Sequence, residues 1–436
     1  MRPATLYSTE SIRYQARSCA ELRSCLRLLP ILIVALTALG VFSLPRSVAA
    51  QSPIAPVSSR ERVLTGIEVL EGQNFAPLRG KRVGLITNQT GVDSQGRRTI
   101  DMLKSAPDVK LVALFSPEHG IQGRADSSVS NATDQASGVT IYSLYGSTRR
   151  PTDDMLANLD ALVFDIQDAG VRFYTYTTTM AYCMEEAAKH HIAFFVLDRP
   201  NPLGGEIIEG PMLDPDKLSF TAYFPMPVRY AMTMGELAQM FNAENKIGAD
   251  LHVVAMNGWK RGETFNEAGV PWISPSPNLR SLTEAYLYPG IEILQAGGVS
   301  VGRGTDTPFE ILGAPWIDGD KLAAELMHRK IPGVEFSAAQ FTPTQDMYAG
   351  RLCRGVRLRI SPKGELRSMR VGLEIADALH RMYPDQFQVD KTITLLGSQA
   401  TVDALTRGDS PESIIKSWAP TLDKFQQMRA KYLLYH

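Results

Sequence analysis

Six short apolar runs constrain this chain more than any other feature: Val83 to Ile86, Lys110 to Phe115, Val139 to Leu144, Ala161 to Ile166, Ile192 to Leu197 and Leu251 to Met256. Most of them do not alternate between apolar and polar residues. A strand with one face in water must alternate, so unbroken runs of this length belong to strands covered on both faces. Helical stretches near Thr99 to Ser105, Asp153 to Asn158, Phe173 to His190 and Thr233 to Asn245 separate several of the runs. Thr233 with Glu236 three residues on has the spacing of a capping box, which strengthens the start of the last of these helices. Strands and helices in this alternation predict a doubly wound parallel α/β domain.

Two prolines in Ile273-Ser-Pro-Ser-Pro-Asn278 interrupt the pattern and mark a boundary. The expected division is 60–277 for the parallel-sheet domain and 278–436 for a smaller α+β domain. The second part carries helical signals at Asp318 to His328, Leu366 to Met382, Ser398 to Thr406 and Pro411 to Tyr432, with strands near Val334 to Phe341 and Val356 to Ile360. Residues 1–50 stand apart. Arg2, Arg13, Arg17, Arg23 and Arg27 precede an uncharged run from Leu28 to Leu44, and Val48-Ala49-Ala50 offers small residues before Gln51. The run is shorter than the ~20 residues a bilayer-spanning helix needs. Residues 1–50 therefore read as a secretory signal cleaved near Ala50, so the expected product is exported, periplasmic or secreted, with no stable membrane anchor.

The charge balance excludes one class of partner. Lys and Arg number 45 against 46 Asp and Glu, and six of the basic but only two of the acidic residues precede Gln51, so the remainder carries a net charge of −5. Nothing in it attracts phosphate backbones, and no nucleic acid partner is expected. After Gln51 the cysteines are Cys183 and Cys353. Cys183 shares a helical face with Tyr176, Met180 and Ala187 and reads as a buried, inert thiol.

In an open parallel sheet, ligands bind beyond the carboxyl ends of the strands. The residues that follow each run here are unusually polar: Thr87, Asn88 and Gln89; Ser116-Pro-Glu118-His119-Gly120; Asp165, Gln167, Asp168 and Arg172; Asp198, Arg199 and Asn201, then Leu203-Gly-Gly205 and Glu209. They form one candidate rim of carboxylates, amides and guanidiniums. Each has a structural alternative: Asp165 and Asp168 can cap the helix near Phe173, Asp198 can pair with Arg199, and Phe173, Tyr174 and Tyr176 can be core. Phosphate chemistry is poorly supported, because Asn88-Gln-Thr-Gly91 lacks Gly-x-Gly-x-x-Gly and Gly302-Arg-Gly304 is a fragment of that pattern with no Lys-Ser/Thr. Seven His form no tight cluster, and neither Asp165-x-x-Asp168 nor Glu118-His119 is a diagnostic ligand spacing. No metal or other cofactor is expected.

Taken in order, Gly84-Leu-Ile-Thr-Asn-Gln-Thr-Gly91, Phe115-Ser-Pro-Glu-His-Gly120, Asp165-Ile-Gln-Asp168, Val171-Arg-Phe-Tyr-Thr-Tyr176, Leu197-Asp-Arg-Pro-Asn-Pro-Leu-Gly-Gly205 and Val299-Ser-Val-Gly-Arg-Gly-Thr-Asp-Thr-Pro-Phe309 resemble the NamZ family of exo-β-N-acetylmuramidases. The resemblance runs from about Gly66 to Lys431-Tyr-Leu-Leu-Tyr435. It implies a Rossmann-like doubly wound domain, a smaller α+β domain and an active site in the cleft between them. It also implies release of β-1,4-linked N-acetylmuramic acid from the non-reducing end of peptidoglycan fragments, such as muropeptides or the MurNAc-GlcNAc disaccharide. The family's catalytic glutamate falls on Glu118. Ala169 stands where the family pattern has a larger apolar residue.

Glycosidic cleavage needs a carboxylic acid to protonate the leaving oxygen and a second group to serve as base or nucleophile. Glu118 is the expected acid, with His119 beside it. Asp165, Asp168 or Glu209 can activate water, or the 2-acetamido group can attack while a carboxylate orients it. The lactyl carboxylate of N-acetylmuramic acid suits a bidentate arginine, for which Arg172 and Arg303 are the candidates. Asp306 can orient Arg303, Asn88 and Asn201 can contact hydroxyls or the acetamido group, and Tyr174 can wall the sugar. Either arginine can instead form a structural interdomain bridge. Two rival readings remain: a non-catalytic muropeptide-binding protein, and a metal-dependent hydrolase of the cell envelope using Glu118, His119 and the two aspartates.

Overall fold

The computed structural model describes residues 62–125, 130–362 and 365–436; the expected signal and its cleavage site lie outside the described residues. Strands β1 (Arg82–Thr87), β2 (Lys110–Ser116), β3 (Ala132–Thr133), β4 (Thr140–Ser143), β5 (Ala161–Asp165) and β6 (Ala193–Leu197) are followed by a hairpin of β7 (Glu209–Met212) and β8 (Pro227–Arg229), and then by β9 (Leu251–Val254). Seven strands form one sheet in the order β3-β4-β2-β1-β5-β6-β9. All neighbours are parallel except the short β3 against β4. With β3 set aside, the chain winds outward from β1 to one edge, then returns to wind outward from β5 to the other. That is the dinucleotide-fold order, with its switch point between β1 and β5.

The apolar runs are explained by coverage on both faces. Along β1, Val83 and Leu85 enter one core cluster and Ile86 the other; along β5, Ala161 and Val163 oppose Leu162 and Phe164; along β6, Ala193 and Phe195 oppose Phe194 and Val196. Helices Gly66–Gly72 and Thr99–Ser105 cover the first face through Ile67, Leu70, Ile100 and Leu103. Helices Tyr176–Lys189 and Met234–Glu244 cover the second through Met180, Cys183, Met184, Leu237 and Phe241. Cys183 and Cys353 are buried free thiols, and Thr233 and Glu236 do form the expected reciprocal cap.

Beyond the proline-rich turn, β10 (Ile311–Ala314), β11 (Val334–Phe341) and β12 (Cys353–Ile360) make an antiparallel sheet in the order β10-β12-β11. Its core residues Leu312 and Val356, with Leu373 from the helix Ser368–Met382, belong to the same cluster as Phe164 and Met180, so one apolar core runs through both halves. A helix absent from the sequence expectation, Leu282–Ala296, lies at their junction. Pro289 within it removes a backbone donor and hides the helix from pattern reading. Gly290 has a packing reason: a Cβ there would lie 1.8 Å from Ser368 O, and one at Gly372 2.2 Å from Gly290 O, so the helices Leu282–Ala296 and Ser368–Met382 cross with their backbones touching.

Candidate active site

The switch-point crevice, where such folds usually bind ligands, is filled by the protein's own side chains. Asp165 at the end of β5 is fully buried and accepts from Arg199 at both oxygens, Nε at 2.6 Å and Nη2 at 2.9 Å, and also from the Thr99 hydroxyl. Thr87 Oγ1 donates to the Asp165 carbonyl at 2.8 Å. The hollow left beside Thr90, Gln167 and Arg199 is about 10 Å³, room for a single water. Asp165 is thus a structural anion and not a partner in catalysis. The Arg199 guanidinium pairs with it rather than with Asp198, which takes its hydrogen bonds from Arg199 N, Thr233, Gly235 N and Tyr435 at the carboxyl-terminal end of the chain.

The adjacent strand end is open. β2 stops at Ser116, and Pro117 turns the chain so that Glu118 and His119 border a cavity of about 450 Å³. His119 lies in the left-handed region (φ 69°), and its Nδ1 meets Ala125 O at 2.7 Å. A carbonyl can only accept, so Nδ1 carries the proton. Asn278 of the proline-rich turn closes one side of the cavity. Glu292 and Gln295 from the unexpected helix, with Arg303, Gln345 and Asp346, form the opposite wall. The glycines around Arg303 shape that wall. At Gly302 (φ 80°) a Cβ would sit 2.7 Å from Ile311, and at Gly304 (φ 77°) 2.6 Å from Gln345 N, so the loop can press against both only without side chains.

Glu118 is half-buried, and Thr175 Oγ1 donates to its Oε2 at 2.5 Å. Burial, together with the nearby Glu118 carboxylate, pushes the phenol of Tyr145, just past β4, up to about 12. Arg303 Nη2 donates to Glu292 Oε1 at 2.7 Å and its Nε lies 3.8 Å from Asp346. Burial works against the Arg303 charge, but Glu292 and Asp346 outweigh it and hold the guanidinium above its ordinary range. Burial pushes the Glu292 carboxyl up, against the pull of Arg303.

Of the residues expected at the site, Glu118, His119 and Arg303 meet in this cavity and the others do not. Asp168 is buried, accepting from Gly170 N at 2.6 Å and from the Tyr230 hydroxyl, and desolvation pushes it up to about 6. Arg172 is 1% exposed and donates to the carbonyls of Pro211, Met226, Leu395 and Leu396; burial lowers it to about 9. It is an internal pin, not a ligand for a carboxylate. Asn88 joins Thr90 to the Tyr176 hydroxyl, and Asn201 joins Leu203 N to Met232 O, so both amides are spent on loop structure. Tyr174 packs edge-on against Tyr176 and Tyr288 inside the core. Glu209 is paired with Arg229 and borders a separate hollow beside Trp418, and Asp306 is exposed away from the cavity wall. Sequence reading missed Glu292, Gln295, Gln345 and Asp346; Thr175 stood unremarked inside the Val171 to Tyr176 motif. Among the described residues, no three His, Cys, Asp or Glu side chains are grouped to hold a metal. A larger hollow of about 680 Å³ lies around Trp316 and Arg354, but no parallel-strand end contributes to it.

Comparison with known proteins places both walls of the cavity in one family. The family model described as "Exo-beta-N-acetylmuramidase NamZ, N-terminal" matches residues 83–283 and its C-terminal counterpart matches 286–435. The chain is 44% identical over 383 residues to the peptidoglycan beta-N-acetylmuramidase NamZ of Bacillus subtilis (strain 168), covering 87% of this chain and 92% of that protein. Crystal structures of two DUF1343 family proteins from Bacteroides fragilis NCTC 9343 share the fold with TM-scores of 0.79 and 0.72 at 39% and 30% identity, each covering 86% of this chain and 99% of theirs. The first family model spans the strand end that carries Glu118 and the second spans the helix and loops that carry Glu292 and Arg303, and the chain accordingly belongs to the exo-β-N-acetylmuramidase NamZ family.

Proposed function

We propose that this protein is an exo-acting glycoside hydrolase that releases β-1,4-linked N-acetylmuramic acid from the non-reducing end of peptidoglycan fragments. One observation carries the reading: Glu118, at an open parallel-strand end, shares a cavity with the arginine Arg303 held on the opposite wall. Glu118 protonates the glycosidic oxygen as the C1–O bond breaks. Arg303 takes the lactyl carboxylate, exchanging part of its contact with Glu292. Asp165 and Asp168 are sealed away, Glu292 is tied to Arg303, and Asp346 accepts from Gln295 and Met347 N. The attacking group that requires the least rearrangement is therefore the substrate's own 2-acetamido oxygen. Water then opens the resulting oxazolinium ion and returns a proton to Glu118, with the β configuration retained.

The test uses the protein from Gln51 onward, wild type and Glu118→Gln, with matched chromogenic β-glycosides of N-acetylmuramic acid and N-acetylglucosamine. Turnover of the muramic substrate alone, lost in the Gln variant, is expected. Absence of turnover by folded wild-type protein refutes hydrolysis, and an inverted product refutes the acetamido route. Muropeptides and the MurNAc-GlcNAc disaccharide are the proposed natural substrates. The protein is further proposed to be exported, periplasmic or secreted, without a stable membrane anchor. The basic and apolar segments of residues 1–50 support this, and a mature N-terminus at Gln51 in the exported fraction is the result expected.

A further inference from the structure

We propose that Thr175 is a positioning residue for this reaction: its hydroxyl holds Oε2 of Glu118 and leaves Oε1 as the oxygen that exchanges a proton with the glycosidic bond. This rests on the reading of Glu118 as the catalytic carboxyl group. Thr175 occupies the N-cap position of the 14-residue helix Tyr176–Lys189, where a threonine oxygen ordinarily accepts a backbone N–H of the first turn. It makes no such bond here. The hydroxyl instead donates to Glu118 at 2.5 Å, across 57 residues of sequence.

The residues on either side of Thr175 make it a fixed point. The Tyr176 hydroxyl donates to Pro275 O at 2.6 Å and accepts from Asn88 Nδ2 at 3.0 Å, which ties the start of the helix to the loop after β1 and to the turn that brings Asn278 to the cavity. The Tyr174 ring packs against Tyr176 at 4.8 Å between centroids and against Tyr288 at 6.0 Å, on the helix that supplies Glu292. Tyr174-Thr-Tyr176 is therefore a clamp: two anchored rings hold a hydroxyl between them. Core packing alone would accept valine at 175, whereas a free glutamate side chain samples many rotamers and seldom presents one oxygen in a reactive pose.

The experiment compares Thr175→Val, Thr175→Ser and Thr175→Ala with wild type and Glu118→Gln, by steady-state kinetics on the chromogenic muramic substrate. Thr175→Val is expected to lower kcat by about 10- to 100-fold with KM within about twofold, the range for a reactive group displaced by about 1 Å. Thr175→Ser should recover most of the loss, which a purely steric role would not allow. Adding Thr175→Val to Glu118→Gln should cost little more, because the hydroxyl acts through that carboxyl group. Wild-type kcat in Thr175→Val, a change in KM alone, or full additivity in the double variant overturns the proposal. If Thr175→Val melts below the assay temperature, Thr175→Ala decides: a lowered kcat at unchanged KM supports the positioning role and wild-type kcat overturns it. An active Glu118→Gln protein would instead remove the reading on which the proposal rests.

Discussion

Replacing Arg172 separates the two roles an arginine can have in this protein. Arg172→Met keeps most of the volume and removes the donors to Pro211 and Met226 carbonyls at 3.0 and 2.7 Å and to Leu395 and Leu396 carbonyls at 2.8 Å each. A net hydrogen bond contributes about 1 kcal/mol, and a buried acceptor left unpaired adds a desolvation penalty. Four such losses amount to about 4 kcal/mol or more. At about 1.3 °C per kcal/mol for a chain of this length, the melting temperature should fall by about 5 °C. Arg172→Lys should recover only part of this, since one ammonium cannot reach four separated carbonyls as a planar fork can. The assay is thermal unfolding followed by circular dichroism, with steady-state kinetics well below the transition. There, kcat and KM for the muramic substrate should remain within about twofold of wild type. A variant with wild-type melting but a tenfold or larger rise in KM for the muramic substrate would refute this assignment and return Arg172 to the sugar site.

Arg303→Gln should show the opposite pattern. A charged hydrogen bond contributes about 1.5–3 kcal/mol, so kcat/KM on the muramic glycoside should fall by about 10- to 100-fold with little change on the glucosamine analogue; equal losses on both would point to a structural role. Asp168 is held up at about 6 by burial, against an ordinary value of 3.8. The folded protein thus binds this proton more tightly than the unfolded chain, so the contribution is full below about pH 4 and is gone once the pH has risen through 6. Its size is about 3 kcal/mol. The melting temperature of wild type should decline between pH 4 and pH 6.5 more steeply than that of Asp168→Asn, and parallel curves would show that Asp168 does not titrate there. Treatment with a chelator should leave muramidase turnover unchanged, and loss restored by a divalent metal would revive the metal-dependent alternative.

The fold was largely legible because its signal is redundant. The central strands β1, β5 and β6 are apolar on both faces, as in Val83, Leu85 and Ile86, and runs this short between helical stretches fit covered parallel strands. The second half was less legible where sequence rules conflict with packing. Pro289 and Gly290 argue against the helix Leu282–Ala296, yet Ser281 and Glu284 cap it reciprocally, and Gly290 is the point where it meets the helix Ser368–Met382. Tertiary contact overrode local preference at that crossing, and the wall carrying Glu292 and Gln295 was lost to sequence reading with it.

At the site, the rim was legible and the division of labour on it was not. Asp165 and Glu118 both follow apolar strands and both are carboxylates, so sequence makes them equivalent. The difference lies in position: Asp165 is the last residue of β5, whereas Glu118 follows β2 by two residues. Ending on the strand puts Asp165 level with the sheet, where Arg199 and Thr99 close over it. Two residues further along, past Pro117, a side chain clears the sheet edge and borders the cavity. Arg172 and Arg303 divide in the same way: the first enters between packed segments whose carbonyls lack donors, and the second is carried out on a glycine-flanked loop. Which polar group becomes functional on this rim is thus decided by where the crevice is already full. The fold's usual ligand position at the β1–β5 switch is occupied by an ion pair, and the cavity that Glu118 borders sits one strand over, at β2, the end that the protein leaves open.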